Sequence, residues 1–156
     1  MTEDDNSLQA LMESYASALY RVSLPQGEVG ITPGRRAGRL EALFPAKRYA
    51  VITAFNPGSR RLPQEENQLA NRVLRRRLDA LNIAIFPSTA SDSEERWLEP
   101  GWLATDLDRP AVDALARRFG QTGVLFWEHS QPVRLRMYLP PVAHVRMPWV
   151  EWAGED

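Results

Sequence analysis

Residues 49–71 read YAVITAFNPGSRRLPQEENQLAN and contain a strand, a sharp turn and the start of a helix. The segment 49–55 is almost uniformly apolar and rich in strand-forming residues, which is typical of a central strand buried on both faces. The turn residues 56–59 end that strand abruptly. Pro63 is favoured in a first helical turn, and the apolar spacing after it predicts a helix over residues 63–81.

The flanking sequence adds further elements on both sides of this segment. Apolar spacing, turn residues and alternation predict helices over 7–19, 40–44 and 108–119, and strands over 28–32, 83–86, 102–105, 124–127 and 133–137. The last two strands are expected to form a half-exposed edge hairpin. The polar stretch 88–95 is expected to be a mobile loop.

This order of elements predicts an α/β (α+β) fold in a single domain. From residue 48 onward it indicates a mixed sheet with βαββαβ (ferredoxin-like) order, plus an N-terminal helix and extra edge strands. A different α/β topology is the alternative. We expect an acidic tail over residues 1–6, one domain over 7–139, and a C-terminal tail over 140–156 that docks through Trp149 and Trp152.

The composition excludes several classes of protein. The chain has 156 residues, of which 44% are hydrophobic and 25% charged, as is ordinary for a soluble globular domain. It has no cysteine, so disulfides, thiolate catalysis and cysteine-based zinc sites are excluded. No apolar run approaches the ~18 residues of a membrane-spanning helix, and the acidic start is unlike a secretory signal. We therefore expect a cytoplasmic protein without a membrane partner.

The charge is balanced overall but uneven along the chain. The formal net charge is −1, whereas residues 35–77 alone have a net charge of +8. This basic segment is compatible with an RNA or phosphate binder, whose affinity would fall steeply with salt. The alternative is an ordinary solvated surface, because arginines 72, 75 and 76 share a helix face with acidic residues.

The common catalytic and metal motifs are absent. The sequence has no G-x-G-x-x-G, Walker, H-E-x-x-H or G-x-S-x-G motif, and its only histidines are His129 and His144. The pair Asp106 and Asp108 precedes a predicted helix, which favours a capping role over metal binding. Neither a metal nor a cofactor is predicted.

Two asparagines of the long helix are expected to point inward. Asn67 lies seven residues before Leu74, about 20° from its direction on a helical wheel, and Asn71 lies on the same flank. A buried amide without a partner costs ~1–3 kcal/mol, so both side chains must find hydrogen bonds. One interpretation is that they fix the loop 56–59. The other is that loop and amides line a polar pocket.

The leading functional hypothesis is a non-enzymatic module that binds a polar ligand or partner. Its site is the strand-end loop 56–61 and the N-terminus of helix 63–81, because ligands of α/β sheets gather where strands end and helices begin. Amides would supply neutral hydrogen bonds and arginines would supply charge. The candidate ligand-binding residues are Asn56, Arg60, Arg61, Asn67, Asn71 and Gln121.

Two other hypotheses use different residues. A hydrolase or transferase would use Glu66 and Glu99 as acid and base, provided that both carboxylates share one concave site. A protein-binding module without a small ligand would use exposed Trp149 and Trp152 as anchors. The ligand's identity, nucleic-acid binding and the oligomeric state stay open from the sequence.

Several of these residues together resemble a known family. The segment 49–57, followed by Glu66-Asn67, Asn71, Glu99-Pro100 and 119–121, resembles the bacterial domain of unknown function 3293 family (DUF3293), as do Tyr15 and Tyr20. The resemblance spans most of residues 8–137 and does not cover the tail after about residue 138. It implies no activity, but it implies that a set of polar residues belongs to the family's pattern and adds one of them, Thr53, to the ligand-binding candidates. That set, with one proline, is Thr53, Asn56, Pro57, Glu66, Asn67, Asn71, Glu99 and Gln121.

Overall fold

The strand predicted as central lies in the interior of a mixed sheet. A computed structural model describes residues 3–141 and 147–155 of the chain. Within that part, the sheet has eight strands and the chain forms four α-helices. The predicted class, a single α+β domain with a mixed sheet, is confirmed.

The elements have the following bounds. The helices are α1 (Glu3–Ser17), α2 (Gly38–Leu43), α3 (Gln64–Asp79) and α4 (Arg109–Arg118), with short 3-10 turns at Pro57–Ser59 and Ala153–Glu155. The strands are β1 (Leu19–Leu24), β2 (Gly27–Ile31), β3 (Arg48–Ile52), β4 (Ile85–Ser91), β5 (Leu98–Thr105), β6 (Gly123–Glu128), β7 (Arg134–Met137) and β8 (Val150–Trp152).

The strands lie side by side in the order β2-β1-β4-β5-β3-β6-β7-β8. All neighbouring pairs are antiparallel except β7 and β8, which are parallel. Along the chain, β3, α3, β4, β5, α4 and β6 follow one another, and β1, β2, β7 and β8 extend the sheet on both sides. No helix in the described part of the chain has the length and apolarity needed to cross a bilayer.

Each face of the sheet has its own apolar core. Alternate residues of β3 point to opposite faces, as the strand's period of two requires. Ala50 and Ile52 pack with Leu74 and Leu78 of α3 on one face. Tyr49 packs on the other face, in a core that includes Met12 of α1.

Two expectations about local structure are wrong. Residues 88–91 are not loop but the end of β4, where pairing with both β1 and β5 satisfies their backbone. The hairpin of β6 and β7 forms as predicted, but it is not a half-exposed edge, because β8 pairs with β7. Arg136 of β7 is fully buried and ion-paired with Asp113 of α4, at 2.7 Å from Nε to Oδ1. Its partner lets this strand lie inside the sheet.

Candidate functional site

A cavity of about 400 Å³ lies between α1 and the face of the sheet opposite α3 and α4. It opens where β3 and β4 end and where β5 and β6 begin. Its apolar wall includes Leu11, Val51, Phe55, Trp97 and Leu125. Its polar end is lined by Tyr15, Thr53, Asn56, Ser59, Glu99 and Gln121. The cavity therefore combines an apolar wall with this polar cluster, and Ser14, Ser88, Ser91 and Asp92 add further polar groups to its lining. Such a mixture is usual for a small-molecule site.

The loop after β3 has an unusual backbone. Asn56, Gly58 and Ser59 all have left-handed conformations, with φ of 50°, 65° and 61°. Only glycine adopts this region at little cost, and asparagine tolerates it better than most other residues. A loop with two non-glycine residues in this region is maintained only when its surroundings fix it.

Asn67 of α3 supplies that restraint. It is 3% exposed, and its Oδ1 accepts a hydrogen bond from the Asn56 backbone N–H at 2.9 Å. Its Nδ2 donates to Asn56 Oδ1 at 2.7 Å and to the Leu62 carbonyl at 3.3 Å. Asn56 Oδ1 also accepts from the Leu62 backbone N–H at 3.0 Å. The two amides thus hold both ends of the loop.

Asn71 acts one helical turn later. Its Oδ1 accepts from the Ala54 backbone N–H at 3.3 Å, just beyond the end of β3. Its backbone carbonyl accepts from Trp102 Nε1 at 3.2 Å. Asn71 therefore attaches α3 to two strands and lies outside the cavity.

Thr53 and Gly101 join the ends of β3 and β5 at the cavity. Thr53 Oγ1 donates to the Pro100 carbonyl at 2.6 Å and accepts from the Phe55 N–H at 3.1 Å. The strands approach so closely here that a Cβ on Gly101 would lie 2.6 Å from the Ile52 carbonyl oxygen. Glycine is required at this position by that contact.

Glu99 presents a carboxylate to the cavity. Asn56 Nδ2 donates to Glu99 Oε1 at 2.7 Å, which fixes one of the two oxygens. Glu99 forms no salt bridge with any described residue, and its Oε2 accepts no hydrogen bond from one. The carboxylate is therefore half-buried, held in position and not paired with a cation from the described residues.

Three hydroxyls form a chain beside this carboxylate. Tyr15 OH lies 2.9 Å from Thr122 Oγ1, which lies 3.0 Å from Ser59 Oγ. Burial raises the pKa of Tyr15, and the charge of Glu99 raises it further, against the opposing effect of its hydrogen bonds. Burial likewise raises the pKa of Tyr20, whose OH donates to the Tyr15 carbonyl at 2.8 Å. Both phenols therefore stay protonated.

Gln121 completes the polar end. Its Nε2 donates to the carbonyls of Phe55 at 3.1 Å and Phe119 at 3.2 Å, which fixes the orientation of the amide. Its Oε1 accepts no hydrogen bond within the described residues. The preceding Gly120 has φ of 66°, and a Cβ there would lie 2.8 Å from Pro57 Cβ. The turn after α4 and the loop after β3 are thus in direct contact.

The cavity brings together only some of the residues that the sequence singles out. Thr53, Asn56, Glu99 and Gln121 line it, whereas Asn67 and Asn71 are buried behind it. Arg60, Arg61 and Glu66 are exposed and do not line it. The guanidinium of Arg61 lies 3.9 Å from the ring centroid of Trp97, outside the polar end. Glu66 and Glu99 therefore do not share the concave site that a paired acid and base would need.

Sequence reasoning missed the contribution of α1. Tyr15 reaches Thr122 across 107 residues of sequence, and no local pattern indicates such a contact. The serines at 59, 88 and 91 also line the cavity. The stretch 88–95 was expected to be a loop, so its serines were not expected to face a cavity on the sheet.

The basic segment 35–77 is divided between the two faces of the sheet. Leu40 of α2 belongs to the core beneath α1, and Leu74 of α3 belongs to the opposite core. The exposed arginines of the two helices therefore do not form one surface. Arg75 in addition pairs with Asp79 at 3.4 Å.

The remaining candidates have structural contacts. Asp108 caps α4 by accepting from the Ala111 N–H at 3.0 Å, as predicted. His129 Nδ1 lies 3.4 Å from Glu41, and His144 falls outside the described residues. No three side chains capable of binding a metal come together within residues 3–141 and 147–155.

The tryptophans of the C-terminal segment are not exposed. Trp152 is 4% exposed in β8, and the side chain of Trp149 packs against Gly34. The hypothesis that these rings anchor a protein partner therefore loses its basis.

Comparison with known proteins finds a family whose model matches part of the chain. Residues 52–124, 73 of the 156, match the family described as Protein of unknown function (DUF3293), which confirms the resemblance found in the sequence. The matched segment begins at the end of β3 and ends in β6. It includes Thr53, Asn56, Glu99 and Gln121 of the cavity lining, and Asn67 and Asn71 of α3. No curated protein and no solved structure matches the chain.

Proposed function

We propose that this protein, whose residues 52–124 match the DUF3293 family, is a binding module for a small organic molecule. The ligand occupies the cavity beneath α1, with its polar group at Asn56, Glu99 and Gln121. The proposal rests on two oxygen atoms, Glu99 Oε2 and Gln121 Oε1, that accept no hydrogen bond within the described residues. The other polar atom of each side chain, Glu99 Oε1 and Gln121 Nε2, is hydrogen-bonded and fixes the orientation of the group. Such acceptors are suited to hydrogen-bond donors on a ligand.

The size and lining of the cavity support this proposal. A volume of about 400 Å³ lies within the ~300–1,000 Å³ of typical small-molecule sites. The leucine, valine and aromatic side chains of the wall provide apolar contact for the body of a ligand. The loop 56–59 is held by Asn67 before any ligand arrives, so binding requires little ordering of the protein.

The positions of the other candidates favour binding over the two alternatives. Glu66 lies on the exposed surface of α3, so the acid–base pair of a hydrolase or transferase lacks one of its members. The basic segment is divided between two faces, so the continuous patch of an RNA binder is missing. A location in the cytoplasm stays a prediction from the sequence.

A fragment screen against the purified protein tests the proposal. A cavity-blocking variant, Ala18→Phe, is compared with Ala114→Phe, in which the same side chain is added to an exposed position of α4. We expect fragments with donor groups to raise the melting temperature of the wild type and of Ala114→Phe. Saturation at 100 times the dissociation constant stabilises by ~2.7 kcal/mol.

The blocked variant should be unresponsive because its added ring occupies the space that a ligand needs. Thermal unfolding without ligand shows whether Ala18→Phe is folded, and a smaller block, Ala18→Leu, replaces it if it is not. Fragments that stabilise wild type and blocked variants equally would contradict the proposal, as would a screen without any stabilising fragment.

A further inference from the structure

We propose that the ligand carries a protonated amine or another organic cation, and that Glu99 is the residue that selects it. This inference rests on the proposed function and specifies its ligand class. The inference rests on the Glu99 carboxylate, which Asn56 holds in position at the polar end of the cavity. Among the described residues, no cation pairs with it and no basic side chain lines the cavity.

The charge of the cavity is one-sided. Among the described residues, its lining contains the carboxylates of Asp92 and Glu99 but no lysine, arginine or histidine. Asp92 is already engaged, because its Oδ1 accepts from the backbone N–H groups of Glu94 and Arg96 at 3.1 and 2.8 Å. Arg96 also pairs with Asp92 Oδ2 at 3.5 Å. Glu99 is thus the carboxylate of the lining without a counter-ion in the described part of the protein.

Glu99 receives one neutral hydrogen bond, from Asn56 Nδ2, where partly buried charges are usually paired with a cation as well. None of the arginines in the described part of the chain lines the cavity. Arg61, two residues beyond the loop, contacts Trp97 from an exposed position. A cation brought by the ligand would supply the missing partner.

The aromatic side chains of the cavity lining favour the same ligand class. Tyr15, Tyr20, Phe55 and Trp97 all line the cavity, and aromatic faces attract organic cations. The charge of Glu99 acts on both tyrosines, raising the pKa of each in addition to the effect of burial. A carboxylate or phosphate of a ligand at this end of the cavity would meet the like charge of Glu99.

Three probes that share a phenylethyl group test the inference. They are 2-phenylethylamine, 2-phenylethanol and 3-phenylpropionate, which present a cationic, a neutral and an anionic group at neutral pH. Their dissociation constants are measured by ligand-observed NMR for the wild type, Glu99→Gln and Glu66→Gln. The first variant keeps an oxygen for Asn56, and the second makes the same charge change on exposed α3, outside the cavity.

We expect the amine to bind the wild type most tightly. Glu99→Gln should weaken amine binding about tenfold and leave the alcohol unchanged, because a hydrogen bond to a charged group contributes more than one between neutral groups. Glu66→Gln should leave both affinities unchanged. Thermal unfolding of each variant verifies that it is folded.

Different results would overturn the inference about the charge of the ligand and the proposed function. If the alcohol or the acid binds as tightly as the amine, or if Glu99→Gln keeps the preference, the charge inference is overturned. The proposed function then still stands, provided that Ala18→Phe abolishes binding of those probes. If none of the three probes binds, the inference is overturned, and the fragment screen decides whether the proposed function fails with it.

Discussion

The loop after β3 depends on a single side chain of α3. Asn67→Ala removes three hydrogen bonds to Asn56 and Leu62 and leaves a backbone N–H and an amide oxygen without this partner. We expect a loss of ~1–3 kcal/mol in the free energy of unfolding, the usual cost of unsatisfied buried polar groups. Urea denaturation measures the loss.

The neighbouring Gln68 provides the control for this variant. It is exposed on α3, so Gln68→Ala should change the free energy of unfolding by less than ~0.5 kcal/mol. Equal stabilities of Asn67→Ala and Gln68→Ala would show that the hydrogen bonds of Asn67 do not stabilise the loop.

Two glycines should respond in opposite directions to the same substitution. Gly101→Ala places a Cβ 2.6 Å from the Ile52 carbonyl oxygen, so β3 and β5 must separate and the protein is destabilised. Gly38, at the start of α2, has no atom within 4 Å of an added Cβ. Alanine there should keep or raise stability by up to ~1 kcal/mol, since glycine is unfavourable in helices. Thermal melts of both variants check the signs, and a neutral Gly101→Ala would contradict the close approach.

Residue-level properties are predicted from the sequence where they depend on local periodicity. The direction of Asn67 on a helical wheel, close to that of Leu74, predicts that its side chain is buried. The loop to which Asn67 donates and from which it accepts hydrogen bonds is the one nearest to α3 in the chain. The partner of Asn56 Nδ2 is Glu99, 43 residues away, and depends on which strands are neighbours. No periodicity within one element contains that information.

At the level of elements, α4 is attached to β7 by a buried ion pair. Asp113 accepts from Arg136 Nε at 2.7 Å and Nη2 at 2.8 Å, and from Tyr138 OH at 2.7 Å. Burial raises the pKa of Asp113, but these hydrogen bonds lower it more, so the net pKa lies below the ordinary 3.8. The folded state therefore binds this proton less readily than the unfolded state does.

The sign of the resulting pH dependence follows directly. The ionised carboxylate stabilises the fold above the ordinary pKa of aspartate, and that contribution is lost as the pH falls through the lower pKa of the folded state. Asp113→Asn should therefore be less stable than wild type at pH 7, and the difference should shrink below about pH 4. Urea denaturation across this range measures both effects.

The matched control for Asp113 is Asp79. It is exposed and pairs with Arg75 on the surface of α3, where an ion pair contributes little. Asp79→Asn should follow the wild-type pH profile. A constant difference between Asp113→Asn and wild type at all pH values would contradict the assignment of the low pKa to Asp113.

The strands illustrate why elements are predicted unevenly. β3 is evident from its apolar run because both its faces are buried. β4 is predicted only at its start, where the strand over 83–86 overlaps it, since its serines and proline resemble a loop, and only pairing with β1 and β5 makes 88–91 a strand. β7 alternates like an exposed edge because Arg136 is charged, but the ion pair with Asp113 allows it to be covered by β8.

For the whole molecule, the sequence predicts the α+β class but not the cavity. The class follows from the order of helices and strands. The cavity forms only when α1, at the start of the chain, covers the face of the sheet opposite α3, and Tyr15 then meets Thr122 and the charge of Glu99. The site expected at the N-terminus of α3 and the observed cavity therefore lie on opposite sides of the loop 56–59.

The central claim is that this cavity binds a small ligand at its polar end. The most direct measurement is a titration of the ¹⁵N-labelled protein with 2-phenylethylamine, followed by ¹H–¹⁵N correlation spectra, with Ala18→Phe titrated in parallel. The account predicts saturable shifts centred on the amides of Asn56, Gly101 and Gln121, little change at the exposed face of α3, and no saturation in the blocked variant. Shifts centred on α3 or on the edge at β8, or equal responses of both proteins, would contradict it.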